Sequence, residues 1–250
     1  MAEPAFVRRS VTVAGRRIAY REELDPRNDP PLVFIHGLGM SSRSFRPLLP
    51  HLHNGFHVIA PDLPGAGHSD KPDEPLSVDA LVTALVGWMD AVGLGEAAFV
   101  GHSLGGQVVT HLCQRYPERV TRAVLVAATP DPDVAPAWRK ALWLLVDGAL
   151  EPPAMVAIAT GDYLKAHPGR MWRQLKKALR VDVEARASRI EVPVLVVRGS
   201  WDLVVREPWS RRLAEAIPDG RYLAVPRGSH GLPAQKPAEL AAIIREFLTA

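Results

Sequence analysis

Ala97-Ala98-Phe99-Val100-Gly101-His102-Ser103-Leu104-Gly105-Gly106-Gln107-Val108-Val109 joins a short apolar run to a glycine-flanked serine and then to a second apolar segment. The first four residues have the character of a buried strand, and Gln107 to Leu112 read as a helix. A G-x-S-x-G between strand and helix makes a turn so tight that the serine is held in a strained backbone conformation. Only glycine tolerates the crowding on either side. Such a turn is a nucleophile elbow, and it leaves the Ser103 hydroxyl exposed at its tip. The next amide, that of Leu104, opens the helix and can face a developing negative charge, helped by the positive end of the helix dipole.

On either side of the elbow, strands and helices alternate. Ser10 to Tyr20 reads as a hairpin turning at Ala14-Gly15-Arg16. Pro31 to Ile35 is continuously apolar, as in a strand covered on both faces, and ends at His36-Gly37-Leu38-Gly39. A short helix is expected near Ser44 to His53, a strand at Val58 to Ala60, and a helix from Ser77 to Met89 with Ser77 as its cap. After the elbow come a strand at Val120 to Ala127, a strand at Val192 to Val197, a helix at Pro208 to Ile217, a strand at Arg221 to Val225 and a helix at Pro237 to Thr249. This rhythm implies a parallel sheet with helices on both faces. Thr129 to Ser188 interrupts it. That span shows no strand and carries Trp138, Leu142, Trp143, Leu145, Val146, Met155, Val156, Ile158 and Trp172 on three or four expected helices lying over the sheet. Within it, Arg170, Arg173, Lys177 and Arg180 share one helical face, read as solvated.

Composition bounds the function. The chain has 250 residues, 47% of them hydrophobic, and its 30 Lys and Arg nearly balance 27 Asp and Glu, so nucleic-acid binding has no compositional support. The single cysteine, Cys113, falls on the helix after the elbow and is read as core packing. Residues 1–9 lack an apolar signal core and no run has the length of a membrane span, so the expectation is a cytoplasmic protein without stable membrane insertion, a monomer or homodimer.

A serine hydroxyl needs a base to take its proton, and the base needs an orienting carboxylate. Both should follow later strands, because open α/β sheets place their sites at the carboxyl ends of strands. Asp202, in Gly199-Ser200-Trp201-Asp202, and His230, in Gly228-Ser229-His230-Gly231, stand there in the order Ser, Asp, His. Asp131 is a rival acid. The loop His36-Gly37-Leu38-Gly39 should supply the second oxyanion donor, the Leu38 amide, with Gly39 as the alternative. His36 and His102 sit in glycine turns without the spacing of a zinc site and are read as structural, so no metal or cofactor is called for. His68, with Asp62 and Asp70, belongs to a loop read either as bordering the pocket or as a solvated turn.

With HGLG at 36–39, PDLPGAGHSDKP at 61–72, GHSLGG at 101–106, GSWD at 199–202 and GSHG at 228–231, nearly the whole chain resembles an α/β-hydrolase of the capped AB hydrolase-1 type. The resemblance implies an eight-stranded, mostly parallel sheet flanked by helices. It also implies a core domain of residues 1–129 and 189–250, and a helical cap at 130–188 inserted after the sixth strand. It carries the nucleophile to Ser103, the base to His230, the orienting acid to Asp202 and the oxyanion donors to Leu38 and Leu104. An apolar pocket would draw on Trp138, Leu142, Trp143 and Val146 of the cap. The activity it implies is a carboxylesterase-like hydrolysis of small to medium hydrophobic esters, lactones or thioesters through an acyl-enzyme, with a small-molecule ester as substrate. A carbon–carbon bond hydrolase or lyase using the same three residues, and a low-turnover ligand-binding protein, remain as alternatives. Related dehalogenases and epoxide hydrolases carry an aspartate at the elbow, where this chain has Ser103.

Overall fold

The computed structural model describes residues 6–23, 30–128 and 152–250. Among them are eight strands: β1 (Phe6–Val13), β2 (Arg16–Glu23), β3 (Pro31–Ile35), β4 (His57–Pro61), β5 (Ala97–His102), β6 (Val120–Val126), β7 (Val194–Gly199) and β8 (Gly220–Val225). They form one sheet in the order β1-β2-β4-β3-β5-β6-β7-β8. The β1–β2 and β2–β4 pairs are antiparallel. Every other pair is parallel.

Two hydrophobic layers cover the sheet because successive side chains of a strand point to opposite faces. Val33 and Ile35 of β3 join Phe99, Leu125 and Val196 on one face, packed by α1 (Val78–Ala91) and α2 (Leu104–Arg115). Leu32 and Phe34 join Val100, Val124 and Val197 on the other. Central strands buried on both faces therefore read as continuous apolar runs. The Ser77 hydroxyl accepts from the Ala80 amide and starts α1 as expected.

The segment expected as one helix near Ser44 to His53 is instead two 3-10 turns, Ser42–Phe45 and Leu49–His51. Pro47 and Pro50 explain the break, since neither has an amide to donate to a carbonyl of the preceding turn.

Between β6 and β7 the described residues hold three helices and no strand: α3 (Pro153–Ala166), α4 (Pro168–Ala178) and α5 (Val183–Ala187). The solvated reading of the basic face is overturned for Arg170 and Lys177, while Arg173 and Arg180 are exposed. Arg170 donates to the Pro72 carbonyl, Gln174 Nε2 to that of Leu76 at 2.9 Å and Lys177 Nζ to that of Pro75 at 2.6 Å. Arg173 pairs with Glu74 at 3.4 Å. The carbonyls of Pro72, Pro75 and Leu76 need donors from outside the loop, and α4 supplies three. Met155 is buried on α3, whereas Val156 and Trp172 are exposed. The chain closes with α6 (Glu207–Ala216), α7 (Leu232–Gln235) and α8 (Pro237–Thr249).

Candidate active site

Ser103 stands between β5 and α2 with φ 54° and ψ −119°, a conformation rare for a residue with a side chain. Its neighbours explain how the strain is held. A Cβ on Gly105 would lie 2.0 Å from the Ile35 carbonyl oxygen, and one on Gly101 would lie 2.5 Å from the Gly105 oxygen. The Ser103 amide donates to Val126 of β6 at 3.0 Å, and the Ser103 carbonyl accepts from Gly106 at 2.9 Å.

Asp202 and His230 follow β7 and β8 and are both buried. His230 Nδ1 lies 3.0 Å from Asp202 Oδ2, and His230 Nε2 lies 3.2 Å from Ser103 Oγ. The other carboxylate oxygen, Oδ1, accepts from the amides of Val204 at 2.8 Å and Val205 at 2.9 Å. With Oδ1 filled, Oδ2 takes the Nδ1–H of the imidazole. The Nε2 lone pair then faces the serine hydroxyl, the tautomer needed to accept its proton.

Known proteins carry the same architecture. A profile described as alpha/beta hydrolase fold matches residues 30–154. The chain belongs to the α/β-hydrolase fold family. It is similar over 248 residues, at 29% identity, to a Caulobacter sp. (strain K31) protein named "Putative carbamate hydrolase RutD", covering 90% of this chain and 92% of that one. The pyrrolizixenacetamide deacetylase of Xenorhabdus hominickii is 28% identical over 242 residues, 88% of this chain and 91% of that one. Among solved structures, the enol-lactonase from Burkholderia xenovorans LB400 superposes with a TM-score of 0.81 at 25% identity, over 97% of this chain and 100% of that one.

In this α/β-hydrolase chain the groups around the three residues are held by contacts that sequence reading missed. Arg198, buried at the end of β7, donates from Nε to the Val205 carbonyl at 2.7 Å and from Nη2 to the Asp202 carbonyl at 2.9 Å. It clamps the backbone on both sides of the Asp202 carboxylate contacts, and a lone charge ending an otherwise apolar strand was the available signal. Asp62 is also buried, accepting from the Ser42 amide at 2.7 Å and the His68 amide at 2.9 Å. A Cβ on Gly67 would lie 2.1 Å from its Oδ2, so the glycine spacing of the 61–70 loop encodes a backbone wrapped around a carboxylate rather than a solvated turn.

The structural reading of His36 and His102 agrees with their hydrogen bonds. His36 Nε2 accepts from the Leu63 amide at 2.9 Å, so Nδ1–H donates to the Gly37 carbonyl at 2.9 Å. Burial lowers its pKa and keeps it neutral. His102 Nε2–H donates to the His230 carbonyl at 2.9 Å. Burial, followed by the nearby His230, takes the His102 pKa to about 4. Burial raises the Cys113 thiol to about 12, which leaves it an inert core side chain.

A cavity of about 50 Å³ opens between the 36–39 loop, the 63–66 turn and α4. Leu38 and Leu104 both line it, with Leu63, Leu81, Met171 and Gln174. Gly37 passes close to the nucleophile position, since a Cβ there would stand 3.2 Å from Ser103 Cβ. The expected pocket residues Trp138, Leu142, Trp143 and Val146, and the rival acid Asp131, lie outside the described residues. Among the described residues no group of His, Cys, Asp and Glu could hold a metal ion, and no helix is long and apolar enough to cross a membrane.

Proposed function

We propose that this α/β hydrolase is a serine esterase acting through an acyl-enzyme. The observation that carries this reading is the hydrogen-bonded sequence from Ser103 Oγ through His230 to Asp202, at 3.2 and 3.0 Å. Ser103 Oγ attacks the ester carbonyl while His230 Nε2 takes its proton, and Asp202 holds the imidazole tautomer and stabilises its cation. The oxyanion is received by the amides of Leu38 and Leu104, whose residues line one cavity with Ser103 beside it. His230 then protonates the departing alcohol. Water, deprotonated by the same histidine, attacks the acyl-enzyme and releases the acid, restoring Ser103.

Residues 130–188 act as a cap in this reading, with α3 and α4 lining the cavity. Leu38, Leu63, Leu81, Leu104 and Met171 in its lining favour uncharged, hydrophobic esters and lactones. The name of the similar enol-lactonase supports the lactone end of that range.

A second reading takes carbamates or amides through the same tetrahedral chemistry. The full-length relatives named carbamate hydrolase and deacetylase favour it. Steady-state hydrolysis of p-nitrophenyl esters from acetate to octanoate, beside p-nitrophenyl carbamates and anilides, separates the two. Turnover of the short esters that disappears in Ser103→Ala supports the esterase. Turnover confined to carbamates or anilides replaces it with the second reading.

A further inference from the structure

The 37–44 loop, which carries the Leu38 amide, is held by two buried carboxylates from different parts of the molecule. Asp62 takes the Ser42 amide from the core side. Asp162 of α3, 121 residues away in sequence from Ser41, takes the Ser41 hydroxyl on Oδ2 at 2.5 Å. Its Oδ1 faces Arg43 Nη1 at 3.4 Å. The Asp162 side chain is 1% exposed and Ser41 is fully buried. Aspartate is a poor residue for a helix interior, and burying a carboxylate is costly without partners, so this contact answers both objections to its position.

Van der Waals contact reinforces the bond. Met40 donates its amide to the Gly37 carbonyl at 3.2 Å, closing a turn with Leu38 and Gly39 at its corners. Gly39 has φ 70°, and a Cβ there would lie 2.5 Å from Met171 Cε and 2.8 Å from Tyr163 Cδ1. Tyr163 and Met171 belong to α3 and α4, so the inserted helices press on the turn itself and are fastened to Ser41, the residue that follows it. The other end of the turn is fixed through His36, whose ring joins the Gly37 carbonyl to the Leu63 amide.

We infer that Asp162 is a positioning residue for the reaction at Ser103: through Ser41 it holds the Leu38 amide in place only while the inserted helices are seated on the core. The inference rests on the esterase reading above. Seating the helices over the cavity thereby completes the oxyanion site, so that full carbonyl activation is reached only when the cavity is covered. An interaction felt only by the charge that develops in the transition state alters kcat and leaves KM nearly unchanged.

The test measures kcat and KM for p-nitrophenyl acetate in Asp162→Ala, which removes the acceptor, in Ser41→Ala, which removes a single hydroxyl, and in the double variant. Hydrogen exchange of the 37–43 segment is followed in parallel. Each single variant should lower kcat on the order of 10²-fold, with KM within about twofold. The double variant should fall no further than the worse single, because both remove one interaction. Exchange of the 37–43 segment should quicken in both, while that of β5 and α2 stays unchanged.

Unchanged kcat, multiplying losses in the double variant, or equal losses in kcat and thermal stability without faster exchange would overturn the proposal. If the wild-type protein turns over no ester, the esterase reading fails separately. The exchange experiment then decides alone, and unaltered protection of 37–43 in both single variants overturns the positioning role.

Discussion

A carboxylate that accepts two backbone amides on one oxygen leaves its other oxygen no choice of partner, and Asp202 is in that position. In Asp202→Asn the side-chain oxygen must stay on the Val204 and Val205 amides, so the new NH₂ faces His230 Nδ1. The ring is then forced to carry its proton on Nε2, pointing a donor at Ser103. We expect kcat for ester hydrolysis to fall on the order of 10⁴-fold, as the same change does in the best-studied serine protease. Near-normal kcat in this variant would contradict the assignment and move the acid role to another residue such as Asp131. At this scale Ser103, Asp202 and His230 were legible because each sits in a glycine-flanked turn just after a strand. Asp162 was not, because nothing local marks it: Ser41 and Asp162 meet only when the chain has folded.

At the scale of elements, the elbow depends on how closely α2 starts against β3. The Gly105 Cα approaches the Ile35 carbonyl so nearly that an added methyl group meets backbone at 2.0 Å, and no rotamer change relieves it. Gly105→Ala should therefore cost about 3 kcal/mol or more, read as a fall in melting temperature of about 10 °C. Gly161→Ala is the control. That glycine lies within α3 with open space where its Cβ would be, and alanine there should raise helix stability by about 1 kcal/mol. Equal melting temperatures for the two variants would contradict the crowding argument. Element types followed from apolar runs and capping residues, so β3, β5, α1 and α8 fall where expected. The proline-broken 42–51 segment and the carbonyl-binding face of α4 did not. A charged helical face looks the same in sequence whether it meets water or a loop of unpaired carbonyls.

For the whole molecule, the buried histidines tie stability to pH. His102 and His111 have pKa values lowered to about 4, burial being the first cause in each. Asp79 opposes the shift at His111 and Arg186 adds to it. Unfolded histidines titrate near 6.5. Between about 6.5 and 4 the unfolded chain thus binds more protons than the folded one, and stability falls as pH drops through that window, by about 1 kcal/mol per pH unit for each histidine. The urea midpoint at pH 4.5 should lie well below that at pH 7, and replacing His111 with glutamine should shrink the difference. Equal midpoints would show that these rings are protonated in the folded state. The α/β class and the alternation behind it were readable from the chain. The strand order was not, because β1-β2-β4-β3-β5 depends on which strands pair at long range, and period and propensity carry no such information.

The central claim is that Ser103 becomes acylated, and the most direct measurement is intact-protein mass spectrometry of a rapidly acid-quenched reaction with p-nitrophenyl acetate. The account predicts an adduct of one acetyl group that maps to Ser103, forms with the kinetics of the p-nitrophenol burst and is absent from Ser103→Ala. Turnover of the ester with no adduct at any quench time, or an adduct that persists in Ser103→Ala, would contradict it.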